Sequence, residues 1–156
     1  MKTLLISSAK PNPAGKDKNK SGQASAAQLG GEWIDIRNTG AYPVDLSGVE
    51  VYHVAYDSAG QSRLALVTTL YGTLASGQVI RVHSGPGPED YLYPLDRLGA
   101  DRHHFTRKNY VWNNDKGDRP ALWQSGSNEW VDKTYYDPNP REGAVLVRRN
   151  DKLVEG

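Results

Sequence analysis

Four histidines, His53, His83, His103 and His104, are the side chains in this sequence of 156 residues best suited to move a proton or hold a metal. Histidine does either when a second group orients it, so spacing decides. A hydrolytic triad needs a nucleophile, a base and an orienting acid brought together. Serines are plentiful, yet none stands in a Gly-x-Ser-x-Gly elbow. The absence of cysteine excludes disulfides, thiolate zinc sites and cysteine nucleophiles. His103 and His104 are adjacent, so in a strand they point to opposite faces and do not share an ion there. The run Asn113-Asn114-Asp115-Lys116-Gly117-Asp118 is rich in oxygen ligands, and calcium takes about six to eight. Its spacing fits no EF-hand loop, and these residue types suit a turn that accepts backbone hydrogen bonds. The sequence therefore carries no catalytic residue, metal ligand or cofactor site that these patterns would reveal.

Binding chemistry is better represented. Arg97, Arg102, His103, His104, Arg107 and Lys108 lie close together, interleaved with Tyr91, Tyr93, Phe105 and Tyr110. Cations neutralise phosphates, and aromatic faces stack on bases or sugars. This stretch is the candidate binding site, with Arg97, Arg102, His103, His104, Arg107, Lys108 and Tyr110 as its named residues. Asp96 and Asp101 dilute its charge, and the plain alternative is a solvated loop that drops Phe105 into the core. A second candidate is a sugar-stacking platform of tryptophans. Trp112 reads as a core anchor. Alternation sets Trp33 opposite Ile34 and Ile36, Trp123 opposite Leu122, and Trp130 opposite Val131, which leaves these three free to face outward. Residues 10 to 31 read as a long flexible loop in which Lys10, Lys16, Lys18 and Lys20 face only Asp17: a solvated linker, or a weak polyanion-binding arm.

These residues must be positioned by a single domain's worth of chain. A chain of this length buries about 70% of the surface its unfolded form exposes, enough for a core without staples. At 37% apolar residues it is polar for a globular protein, much of that polarity falling in the N-terminal stretch and the loops. Nine Tyr and four Trp against one Phe favour side chains with an apolar body and a polar tip, as half-buried sheets and contact surfaces require. With 19 basic and 18 acidic residues, no global field draws the protein to nucleic acid or membrane. No apolar run approaches the ~18 residues of a membrane span. Leu4 to Ile6 is shorter than the ~7–15 residues of a signal-peptide core and reads as a first strand.

The remaining elements follow from period and punctuation. Glu32 to Arg37 alternates, with Ile34 and Ile36 on one face, and Asn38-Thr39-Gly40 signals a turn. Val44-Asp45-Leu46-Ser47-Gly48 leads into a strand at Val49 to Tyr56, in which Val49, Val51 and His53 share a face. Arg63 to Leu70 and Gln78 to His83 are the next two strands. Residues 84 to 109 read as a long Gly/Pro-punctuated connection. Then come Tyr110-Val111-Trp112, the polar turn, Ala121-Leu122-Trp123, and a strand at Glu129 to Tyr136. Ala144 to Arg148 and Lys152 to Val154 form a terminal hairpin around Asn150-Asp151. Short β-rich runs without a sustained helical period predict an all-β sandwich or barrel.

The order of motifs carries a resemblance. Gly31-Glu32-Trp33-Ile34-Asp35-Ile36-Arg37-Asn38-Thr39-Gly40, followed by Val44-Asp45-Leu46-Ser47-Gly48, is similar to the opening of lamin tail domains, especially the bacterial ones. Val111-Trp112-Asn113-Asn114-Asp115-Lys116-Gly117-Asp118, then Ala121-Leu122 and Val131-Asp132 before Tyr135, resembles the family's second signature. Pro11-Asn12-Pro13-Ala14-Gly15 fits the loop that precedes the first. The likeness spans residues 3 to 137. It implies an immunoglobulin-like β-sandwich: residues 1–137 as the lamin-tail-like domain, and 138–156 as an added C-terminal hairpin packed on it. Val49 stands where the family usually has Trp, so the core must repack, and the turn before Asp118 is one residue longer than the common form. Heptads are absent, so no coiled-coil rod accompanies the domain.

The family also implies a non-catalytic module. In animals such domains contact other proteins and chromatin; in bacteria they accompany exported nucleases, hydrolases or surface proteins. The expected role is an interaction or structural module that binds a protein partner or itself. Nucleic-acid or other polyanion binding, and carbohydrate binding through Trp123 and Trp130, are the alternatives. The missing signal peptide favours the cytoplasm, and the family habit favours export.

Overall fold

Ile34 and Ile36 are fully buried on one face of a strand, β2 (Trp33–Asn38), as their alternation requires. The computed structural model describes residues 3–14 and 24–156. Within them β2 pairs antiparallel with β1 (Leu4–Lys10) on one side and β7 (Val79–His83) on the other. The C-terminal hairpin, β11 (Leu146–Arg149) and β12 (Lys152–Glu155), adds to β1, and β8 (Arg102–Phe105) adds to β7 in parallel. The result is a six-stranded sheet in the order β12-β11-β1-β2-β7-β8. Facing it is a four-stranded sheet, β10-β9-β4-β5, built from β4 (Val49–Tyr56), β5 (Ser62–Thr69), β9 (Ala121–Gln124) and β10 (Glu129–Lys133). Two short strands, β3 (Val44–Asp45) and β6 (Thr73–Leu74), pair at one end.

The core lies between the sheets. Ile6, Ile34, Ile36 and Ile80 enter from one side and Val49, Val51, Val67 and Leu122 from the other, all nearly or fully inaccessible to water. Burying each such side chain stabilises the fold by roughly 1.5–3 kcal/mol. Val49 is fully buried in its tryptophan-replacing position. The chain is therefore an immunoglobulin-like sandwich with an added hairpin.

The signature residues turn out to be the joints of this frame. In Asp45-Leu46-Ser47-Gly48, Asp45 Oδ1 accepts from the Ser47 N–H (2.9 Å), Leu46 enters the core, and Gly48 takes φ +80°, where a side chain is strained. Glu32 is fully buried, and its Oε1 accepts from Ser84 Oγ (2.5 Å) and from the Val111 N–H (2.7 Å). One carboxylate thus ties the first signature to the second. Asp118, at the far end, ties the second signature to β4. It accepts from the backbone N–H groups of Val54, Asn113 and Arg119, and lies 2.9 Å from His53 Nδ1.

Three segments differ from the expectation. The stretch from residue 10 to 31 is not all loop: Lys10 ends β1, and a short helix α1 (Ala26–Gly30) begins at Ser25. Ser25 accepts from the Gln28 N–H while the Gln28 side chain accepts from the Ser25 N–H, a reciprocal cap that organises even a five-residue helix. Lys16, Asp17, Lys18 and Lys20 lie outside the described residues. The connection from 84 to 109 contains β8 and a helical turn α2 (Pro94–Arg97), and folds over the outer face of the six-stranded sheet. The strand from Glu129 stops at Lys133, after which only Tyr136 bridges to Asp118.

Trp33 is buried as a consequence of that cover, not outward as alternation alone suggests. Its Nε1 donates to Asp96 Oδ1 (3.0 Å), and the Arg81 guanidinium lies 3.8 Å above its ring. Arg81 in turn makes a two-pronged pair with Asp35 and donates to the carbonyls of Asp96 and Leu98. Lys10 completes the cluster with a 2.6 Å contact to Asp96. The outer face is thus a sealed ionic layer whose charges are mutually compensated.

Candidate functional site

The basic-aromatic stretch from Arg97 to Tyr110 is divided by β8. Arg102 and His104 point toward β5 and close that side of the sandwich. Arg102 donates to the carbonyls of Thr73 and Tyr71 (both 3.1 Å), and His104 Nε2 lies 2.8 Å from Thr68 Oγ1. His103 and Phe105 point to the opposite face, where both rings stack against the fully buried His83 (ring centroids 5.0 and 4.9 Å). Phe105 is half-buried on that outer face and does not enter the core between the sheets. Arg97, in α2, donates to the carbonyls of Asp90 and Leu92, and Lys108 Nζ reaches the Leu66 carbonyl at 3.4 Å. Arg107 sits at the turn after β8 with φ +62°, and Tyr110 is half-buried beside Val111. Arg102, His104 and Lys108 therefore gather on the β5 side, while His103 lies on the opposite face with His83.

Their charge is also smaller than their count. Burial lowers the basicity of His103, an effect the Arg81 charge reinforces and Glu89 opposes. Burial lowers His104 as well, helped by Arg102 and Arg107. For His83 burial, followed by repulsion from His103, Arg81 and His104, brings the pKa to about 3 despite its bond to the Gly30 carbonyl. These imidazoles are uncharged near neutrality, so they add no phosphate-neutralising charge.

A different surface gathers apolar side chains and free charge. On β4, Val49 and Val51 face the core, so Tyr52 and Val54 face out. Across the ladder Tyr52 is opposite Leu66 and Val54 opposite Leu64. Leu64 is 51% exposed and Leu66 45%, on a strand at the open edge of its sheet. Beside them Trp130 packs edge-on against Tyr52 (5.6 Å) and Trp123 (4.9 Å). Two of the three tryptophans expected outward therefore do cluster, while Trp33 does not join them. A groove of about 680 Å³ crosses this outer face, floored by Val54, Leu64, Pro120, Ala121 and Trp130. Arg63, Arg119, Lys133 and Asp151 stand around it. That volume falls within the range of about 300–1,000 Å³ usual for ligand clefts.

Leu64, Leu66 and the surrounding cations were not among the residues read from sequence as a site. A signal was nonetheless there. Leu64-Ala65-Leu66-Val67 is apolar on both faces of its strand, and in a sandwich only one face of a sheet meets the core. Among the described residues, no group of three or more His, Asp or Glu side chains is placed to hold a metal ion, and no helix is long and apolar enough to cross a membrane.

Comparison with known proteins agrees with this architecture. The family model for the Lamin Tail Domain matches residues 2–138. No curated protein matches the chain.

Proposed function

The chain belongs to the lamin tail domain family, immunoglobulin-like structural domains that are generally non-catalytic, and from that premise we propose that it is a non-catalytic interaction module which binds a protein partner through the outer face of its four-stranded sheet. The observation that carries this reading is the pair Leu64 and Leu66, half exposed on an edge strand beside an aromatic cluster. Exposed apolar patches rimmed by polar groups favour association. Polyanion binding through residues 97 to 110 has weaker support, because Arg97, Arg102 and Lys108 already serve backbone carbonyls and the neighbouring histidines are neutral. A flat sugar platform is also less favoured. Trp123 and Trp130 meet at 71°, each offering an edge where a platform needs coplanar faces.

The test is selection of peptides from a random display library on the immobilised protein. Selected peptides should lose binding to Leu64→Asp and Leu66→Asp variants and retain it for an Arg107→Glu/Lys108→Glu variant. Peptides with the opposite sensitivity would move the interface to the β8 loop and overturn the assignment to this face.

A further inference from the structure

The charged side chains lining the groove on the outer face are mostly of one sign. Several cations elsewhere are paired, Arg81 with Asp35, Arg148 with Asp132, Lys10 with Asp96 and Lys152 with Asp137, and Arg97, Arg102 and Lys108 are held by backbone carbonyls. Around the groove, Arg63, Arg119 and Lys133 make no ion pair among the described residues, and Asp151 is the single carboxylate lining it. Lys133 is drawn inward over Trp130, its ammonium 4.9 Å from the ring centroid, which sets a cation directly beside the apolar floor. Three cations against one carboxylate thus leave a positive balance on the rim of an open apolar cleft.

Resting on the interaction-module reading above, we propose that this groove takes an extended acidic segment of another protein, with apolar side chains on Leu64 and Trp130 and carboxylates on Arg63, Arg119 and Lys133. Charge selects this occupant. A second copy of the chain would bring the same three cations against their equivalents, and like charges across an interface raise its free energy. A nucleic acid would gain from the cations but would set a hydrated backbone against Val54, Leu64 and Ala121. A peptide that alternates acidic and apolar residues satisfies floor and rim together, since successive side chains of an extended chain point to opposite sides.

The experiment uses the full chain and four fluorescent probes: a ten-residue peptide alternating Glu and Val, its Lys/Val counterpart, a single-stranded DNA oligonucleotide and an oligogalacturonate. The Glu/Val peptide should bind, weaken as salt is raised, and lose about tenfold or more in affinity to an Arg63→Glu/Arg119→Glu variant. Those two side chains are exposed, so the variant should keep the parent's circular dichroism and melting temperature. The Lys/Val peptide should not bind. Equal binding of both peptides, or indifference to the charge reversal, would overturn the proposal. So would a groove that takes DNA or galacturonate but not peptide, or that takes none of the probes. If display-selected peptides still depend on Leu64 and Leu66 while the Glu/Val peptide fails, the acidic specificity is wrong and the interaction face stands. If both fail, the face itself is wrong.

Discussion

His83 illustrates how far a residue type misleads without its surroundings. Its Nδ1–H donates to the Gly30 carbonyl at 2.6 Å, which leaves Nε2 to accept from His103 Nδ1 at 2.8 Å. Both ring nitrogens are used by neutral partners, and Phe105 stacks on the ring. This is a buried hydrogen-bonded wedge, and it has a pH signature. Burial brings its pKa to about 3 in the folded state, against roughly 6.5 when unfolded. Between those values the unfolded chain binds the extra proton, so stability is complete above about pH 6.5. It falls by up to about 1.4 kcal/mol for each unit of acidification below it. His103 and His104 are lowered in the same direction and add to the slope. Replacing His83 with Gln removes one titration while keeping a donor for Gly30. Urea midpoints measured from pH 7 to pH 4 should fall more steeply for the parent than for His83→Gln. Parallel pH profiles would show that His83 protonates without cost.

At the scale of elements, the most consequential contact joins the two sheets through the terminal hairpin. Arg148 of β11 donates to both oxygens of Asp132 on β10 (2.8 and 3.1 Å), to the Ile6 carbonyl and to that of Lys133. Asp132 also accepts from the Ile6 N–H (2.8 Å). The register of β1 shifts between Ile6 and Ser8, and that of β10 between Trp130 and Asp132, so irregularities on both strands flank the clamp. An Arg148→Met change leaves Asp132 without its charged partner and should cost about 3–5 kcal/mol. A lysine cannot reproduce the two-pronged geometry and should rescue only part of the loss. Equilibrium unfolding with an unchanged denaturant slope checks both. Strands of this kind were legible where alternation was clean: Ile34 and Ile36 in β2, Ile80 and Val82 in β7, and the hairpin with Asn150 at φ +58°. β8 was not, because Arg102-His103-His104-Phe105 has no apolar period and owes its conformation to parallel pairing with β7 and to stacking on His83. Trp33 failed for a related reason. Alternation correctly set it opposite Ile34, but the cover supplied by residues 84 to 101 comes from distant chain. The binding groove was half legible, through Trp123, Trp130 and the two-faced apolar run of β5, while its rim cations come from three separate strands or loops.

For the whole molecule the question is where the folding unit ends. The family match stops at residue 138, yet the core does not. Leu146 and Leu153, from the hairpin beyond that point, are buried at 3% and 1% exposure among the residues that fill the sandwich. The Leu153 N–H also donates to the Tyr135 carbonyl, and β11 covers the edge of β1. We therefore propose that residues 138–156 are an integral part of the same domain. Deleting them removes two buried leucines, worth roughly 1.5–3 kcal/mol each. It also strands Asp132 at about 3–5 kcal/mol and opens β1 as an unpaired edge, a template for aggregation. Against a total stability of about 5–15 kcal/mol for a domain, the sum consumes most of what holds the fold. Residues 1–137 expressed alone should lack a cooperative thermal transition and near-ultraviolet circular dichroism, and should associate as concentration rises. A truncated chain that melts cooperatively within about 1 kcal/mol of the parent would instead make the hairpin an appendage. The clamp at Asp132 would then have to be satisfied by water in its place.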